Sequence, residues 1–227
     1  MPANASDTDA IAAKAVELIT PGMVVGLGTG RAATAFIHAL GAKVRDGLTI
    51  RGLPTSEVSA ALATQLGIPL VTFDDVERID ITVDGADEID PNGDLIKGYG
   101  GALVREKIVA AFSRKFVVLG GSEKVVAVLG SRGILPVEVV SFALTPCRKH
   151  LEELGFPSQP RLKDGQILVT DNGNYILDCK TTAIPNPAET EAKLLAIPGV
   201  VGTGIFAKMA DIIMVQHGSD VEVRKIK

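Results

Sequence analysis

Between Met23 and Leu40 the chain passes from a short apolar stretch, Met23-Val24-Val25-Gly26-Leu27, through the glycines of Gly28-Thr29-Gly30 into an Ala-rich helical pattern that starts at Ala32. Few architectures accept that order. A strand apolar on both faces needs cover on both faces, and a helix that follows a tight backbone turn supplies it on one of them. The alternation continues, with strands expected over 48–53, 69–73, 79–83 and 116–119 and helices over 56–66 and 102–113. Ahead of it, Ile11, Ala15, Leu18 and Ile19 recur at helical spacing, with Asp7 or Asp9 available as a cap and Pro21-Gly22 as a stop. The fold class expected is α/β, a Rossmann-like and mostly parallel sheet with helices on both faces.

After about Gly130 the pattern changes. Segments 137–140, 166–171 and 175–179 read as strands joined by turns such as Lys163-Asp164-Gly165 and Asp171-Asn172-Gly173-Asn174, and 187–196 reads as a helix. These pieces form a small α+β unit, and Asp211-Ile212-Ile213-Met214-Val215 reads as a return to the main sheet. The expected organisation is a main domain of residues 1–129 and 203–227 with a small domain of residues 130–202 inserted. No internal repeat interrupts this reading.

Composition removes several classes of function. A formal net charge of −4 gives no general attraction to nucleic acid or anionic membranes, so any phosphate must be met locally. Apolar runs are broken by Gly, Pro or charge well short of the roughly 20 residues of a membrane helix. The start, Met1 to Asp9, lacks the cationic front and apolar stretch of a secretory signal, which points to the cytoplasm. Cys147 and Cys179 are too few for a disulfide framework and fit no metal spacing, so both are read as reduced thiols. His38, His150 and His217 are scattered and are read as structural or surface residues.

Three segments carry chemistry. The glycine turn before the second helix lets backbone N–H groups approach an anion at a helix start, although the same pattern serves a dinucleotide site or a plain tight turn. A dinucleotide is disfavoured, because Ala33 stands where that fingerprint has its last glycine and no acidic residue closes the next strand. Asp84-Gly85-Ala86-Asp87-Glu88 follows an apolar strand directly, where a parallel sheet binds ligands, and an acidic turn is the alternative. Lys97-Gly98-Tyr99-Gly100-Gly101 then leads into a helix with Glu106 about one turn in, a layout that offers a cation, backbone donors and a carboxylate to one oxyanion. An ordinary helix with a solvated Arg105-Glu106-Lys107 run is the alternative there.

The order and spacing of GLGTG, DGADEID, the Lys-Gly loop before LVREK, LPVEVV, DNGNYILD and PGVVGTGIF resemble the A type of ribose-5-phosphate isomerase from about Ile19 to Val223. That resemblance implies interconversion of D-ribose 5-phosphate and D-ribulose 5-phosphate, in the pentose phosphate route, by a homodimer that needs no metal or cofactor. It makes Glu106 the base that moves a proton between C1 and C2 through an enediolate. Asp84, Asp87 and Lys97 share the catalytic work. Thr29, Gly30, Arg31 and Ala32 hold the phosphate, and Gly85, Ala86, Gly98, Tyr99, Gly100 and Lys124 complete the substrate contacts.

The chain also departs from the pattern it resembles. Arg31-Ala32 replaces a Ser-Thr pair, and Arg31 is either a phosphate partner or a solvated side chain. Tyr99 replaces a glycine, and Gly121 and Glu123 stand where an Asp and a Ser are common. These changes keep open an isomerase with a shifted sugar-phosphate substrate. A sugar-phosphate sensor on the same scaffold is the rival of another class, disfavoured because it has no use for Glu106 and the chain has no length for a DNA-binding helix pair.

Overall fold

The computed structural model describes residues 5–227, with side chains from Ala10 onward. Met1 to Asn4 lie outside the described residues, as do the side chains of the expected caps Asp7 and Asp9, whose backbone runs within the first helix. By its internal contacts the chain divides into two units, one of Met1–Ala86, Arg105–Lys124 and Met209–Lys227, the other of Asp87–Val104 and Val125–Lys208.

The first unit is built on a six-stranded sheet. Its strands β1 (Val24–Leu27), β2 (Arg51–Pro54), β3 (Ile81–Gly85), β4 (Phe116–Gly121) and β5 (Ile212–His217) are parallel, and β6 (Asp220–Lys225) turns back along β5. The order is β6-β5-β4-β3-β1-β2, so the chain reverses direction of growth between β1 and β3. In open α/β sheets ligands bind outside the carboxyl ends of the strands at such a reversal.

Helices α1 (Ala5–Val16), α2 (Arg31–Arg45), α3 (Glu57–Gln65) and α4 (Leu103–Ala111) follow the expected pattern, α4 belonging to this unit from Arg105. Side chains of β1 alternate as a pleat requires. Val25 and Leu27 join Ile11 of α1 and Phe36, Ile37 and Leu40 of α2 in one core. Val24 joins Leu53, Ile79 and Val109 of α4 in another. Both faces of the sheet are thereby covered, which is why its strands read as continuous apolar runs.

The expected strand over 69–73 does not form. Pro69 has no N–H to give, and the segment makes one bridge, Leu70 to Gly52, on the outer edge of β2. Thr72 and Asp75 then cap each other, the Thr72 N–H donating to Asp75 at 2.8 Å, and bend the chain into a short 3-10 turn, Phe73–Asp75. No helix among the described residues is long and apolar enough to cross a membrane.

The second unit holds a four-stranded antiparallel sheet in the order Val200–Thr203, Ile134–Val139, Tyr175–Lys180, Ser158–Pro160. Helices α5 (Leu144–Glu153) and α6 (Pro187–Leu195) contribute Cys147, Leu151 and Leu194 to a core with Val137, Val139, Leu177 and Cys179. The expected strand over 166–171 shrinks to Gln166–Ile167, paired with Leu162–Lys163 across the Asp164-Gly165 turn. A second, three-stranded sheet pairs Glu88–Ile89, Leu95–Ile96 and Ile205–Phe206. Asp90 closes its hairpin by accepting the Asn92 and Asp94 N–H groups at 2.9 and 2.8 Å.

Candidate active site

In the first unit the glycine turn and the acidic motif meet at the carboxyl ends of β1 and β3. The Asp84 carboxylate accepts the Thr29 N–H at 3.0 Å and its neighbour Gly85 N–H at 2.7 Å, both on Oδ1. This approach is open because residue 28 is a glycine, since a Cβ there would fall inside the Asp84 carboxyl group. Gly30 turns the chain at φ 104° into α2, a conformation that L side chains rarely adopt. Ala32 lies one turn edge away, within van der Waals distance of where a Cβ on Gly85 would stand. Thr29, Gly30, Arg31, Ala32, Asp84 and Gly85 are therefore one local structure, with Ala86 next in the chain.

Two residues that sequence reasoning missed hold this turn from the side. The Thr29 hydroxyl lies 2.7 Å from that of Thr55 and 2.8 Å from that of Ser56, and Thr55 donates back to the Leu27 carbonyl at 3.0 Å. Ser56 is also the N-cap of α3, accepting the Ser59 N–H at 3.1 Å. The available signal was a Thr-Ser pair at the end of β2, the strand beside β1.

Glu106 occupies the first turn of α4 and is 3% exposed. Just beyond α4, Arg114 bonds to the Ile79 carbonyl beside the amino end of β3. The helix therefore runs against the strands, and its first turn points toward their carboxyl ends. A carboxylate in that turn is favoured by the helix dipole. Asp84 is 0% exposed. Burying two acids is costly for stability, and such placement is a mark of functional sites. Lys124 closes the short turn Ser122–Lys124 after β4, the strand beside β3.

Arg31 is the first residue of α2, and its guanidinium faces Glu123, Nη2 to Oε1 3.4 Å. The sequence left it between phosphate and solvent. The structure gives it a carboxylate 92 residues away.

In the second unit, Lys97 is 2% exposed, with its N–H donating to the Gly204 carbonyl at 2.8 Å and its Nζ 5.5 Å from the centre of the Phe206 ring. Asp87 accepts the Tyr99 N–H at 3.0 Å, tying the acidic motif to the Lys-Gly loop. Glu88 is wholly buried and accepts the Gly130 and Arg132 N–H groups at 2.7 and 2.9 Å, while Arg132 donates to the Asp87 carbonyl at 3.1 Å.

Gly98, Tyr99 and Gly100 make a bend closed by the Gly101 N–H on the Gly98 carbonyl. A clamp invisible in the sequence holds it, for Arg161 forks onto Asp178 at 2.5 and 2.9 Å and donates to the carbonyls of Gly98 and Tyr99 at 2.6 and 3.1 Å. The Tyr99 hydroxyl bonds to the Ile134 carbonyl at 3.3 Å. Burial foremost, then the charges of Asp87 and Glu88, push its phenol up to about 12, so it stays a donor well into the alkaline range.

The family model described as ribose 5-phosphate isomerase A (phosphoriboisomerase A) matches residues 51–220. The chain belongs to the ribose 5-phosphate isomerase A family. A family relative from Roseiflexus sp. (strain RS-1), named ribose-5-phosphate isomerase A, is 49% identical over 204 residues, 88% of each chain. The solved ribose 5-phosphate isomerase A of Methanocaldococcus jannaschii is 41% identical, with a TM-score of 0.93 over 98% of this chain and 100% of that one. A D-ribose-5-phosphate isomerase solved in complex with phospho-erythronic acid is 39% identical at the same TM-score, over 98% and 100% of the two chains. The expected family and α/β fold class are thus met along nearly the whole length.

Proposed function

We propose that this chain is an aldose-ketose isomerase that interconverts D-ribose 5-phosphate and D-ribulose 5-phosphate, with Glu106 as the base. The observation that carries the reading is the buried Glu106 carboxylate in the first turn of α4, in a family whose members bear this activity in their names. Glu106 takes the proton from C2 of the open-chain aldose, leaving an enediolate, and returns it to C1. The C1 carbonyl becomes a hydroxyl and the C2 hydroxyl a carbonyl. Oxidation and reduction are both internal to the sugar, so the chemistry asks for no cofactor.

Lys97 supplies the positive charge that stabilises the enediolate oxygens as they become negative. Asp84 and Asp87 steer hydroxyls and help the furanose ring to open. The turn Thr29 to Ala32 receives the phosphate on backbone N–H groups at the start of α2, and Lys124 adds a cation. Gly85, Ala86, Gly98, Tyr99 and Gly100 are the remaining substrate contacts in this reading. Binding energy gained at the phosphate is spent on orienting the reacting carbons. The relative that holds phospho-erythronic acid, a phosphorylated polyhydroxy acid, supports a ligand of this class.

The same reading places the reaction in the non-oxidative pentose phosphate route, in the cytoplasm, and in a homodimer with no nucleic-acid or membrane partner. The test is ketose formation from ribose 5-phosphate in the presence of a chelator, beside other aldose phosphates. The expected result is turnover of the pentose far above that of the rest, and absent turnover would remove the assignment.

A further inference from the structure

The first turn of α2 carries charge of the sign a helix start disfavours. Arg31 is the first helical residue, its cap Gly30 has no side chain, and the turn contains no acid. Helix dipole and guanidinium therefore add, at a cost to folding. Such a pairing of positive features favours an anion beside it.

Glu123 is the anion in place. Its contact with Arg31 is 3.4 Å long, and the two side chains keep 47% and 60% of their surface in water, so the pair is weak and easily exchanged. Gly121 makes room for it. The Glu123 carboxylate folds back over residue 121 and fills the space that a Cβ there would need. Any side chain at 121 pushes that carboxylate aside. Glu123, two residues after Gly121, lies 92 residues from Arg31 in sequence yet meets it in the fold, and all three residues depart from the pattern described above.

We propose that Arg31 and Glu123 form an exchangeable ion pair that sets the affinity of this chain for the phosphate end of its substrate. Glu123 holds the guanidinium while the turn is unliganded, and a phosphate dianion, with more charge and paired oxygens, displaces it. Glu123 is then a built-in competitor, and Arg31 a determinant of specificity for phosphorylated over free sugars. This rests on the reading of the turn Thr29 to Ala32 as the phosphate seat.

The exchange has a signature that simple repulsion between Glu123 and phosphate lacks. Four forms of the full chain are compared: wild type, Arg31→Ala, Glu123→Gln and the double variant. For each, the dissociation constant of inorganic phosphate is measured by calorimetry and the KM for ribose 5-phosphate by assay. Arg31→Ala should weaken phosphate binding about tenfold, the worth of one charge-assisted contact. Glu123→Gln should tighten it about threefold in the wild-type background, as expected for release of a weak surface pair. In the Arg31→Ala background the Glu123 change should have no effect.

Equal tightening in both backgrounds, or none in either, would overturn the exchange while leaving the isomerase reading intact. A wild-type protein that does not turn over ribose 5-phosphate would overturn both.

Discussion

At the scale of single residues, the site depends on how closely a carboxylate can approach a backbone turn. Gly28 permits Asp84 to accept the Thr29 N–H, and an alanine at 28 would occupy the same space as the carboxyl group. Gly28→Ala should therefore destabilise the fold by about 1–3 kcal/mol, the usual cost of overpacking. It should also lower kcat/KM by tenfold or more, because a displaced Asp84 releases the turn. A denaturant titration together with initial rates checks both, and a variant with wild-type values would show that the turn does not need this contact. The places of Asp84 at a strand end and of Glu106 in the first turn of a helix were legible in sequence, because each stands at a fixed offset from an apolar run or a glycine loop. Thr55, Ser56 and the partner of Arg31 were not, because those contacts are made by side chains that only the sheet order brings together.

At the scale of elements, the central strands could be read off directly, since burial on both faces leaves unbroken apolar runs. Segment 69–73 failed on that ground: Val71 and Phe73 are apolar, but Pro69 and the Thr72–Asp75 cap hold the piece to one bridge on the sheet edge. The pairing of Glu88–Ile89 and Leu95–Ile96 with Ile205–Phe206 was equally invisible, because two-residue strands carry no period.

The Lys-Gly loop is the element on which this matters most, for its geometry is imposed by Arg161 from outside. Arg161→Lys keeps the charge and loses the fork onto Asp178. Amide exchange at Gly98 to Gly101 should then quicken about tenfold, with a stability loss of about 1–3 kcal/mol. Unchanged protection of those amides would mean that the loop holds its own shape.

At the scale of the whole molecule, the second unit reports its own integrity through its thiols. Cys179 is fully buried, and desolvation, with the Asp178 charge beside it, pushes its thiol up to about 12. In the unfolded chain the thiol returns to about 8.5. Above that pH the folded state keeps a proton that the unfolded state gives up, so stability falls as pH rises toward 12. Between pH 7.5 and pH 9.5 the loss from this group should be about 1 kcal/mol. It should be absent in Cys179→Ala, whatever that variant's own stability at pH 7.5. Chemical denaturation at the two pH values provides the check, and an equal loss in both proteins would assign the effect elsewhere.

The mechanism turns on whether one carboxylate carries the migrating hydrogen. The most direct measurement is turnover of ribose 5-phosphate in deuterated water by the wild type and by Glu106→Gln, with deuterium at C1 of the ketose followed by NMR. A base that exchanges with solvent leaves deuterium at C1 in the wild-type product. Glu106→Gln, which cannot take up the proton, should lower both turnover and incorporation by about two to four orders of magnitude. A glutamine variant that isomerises and labels at the wild-type rate would contradict the account.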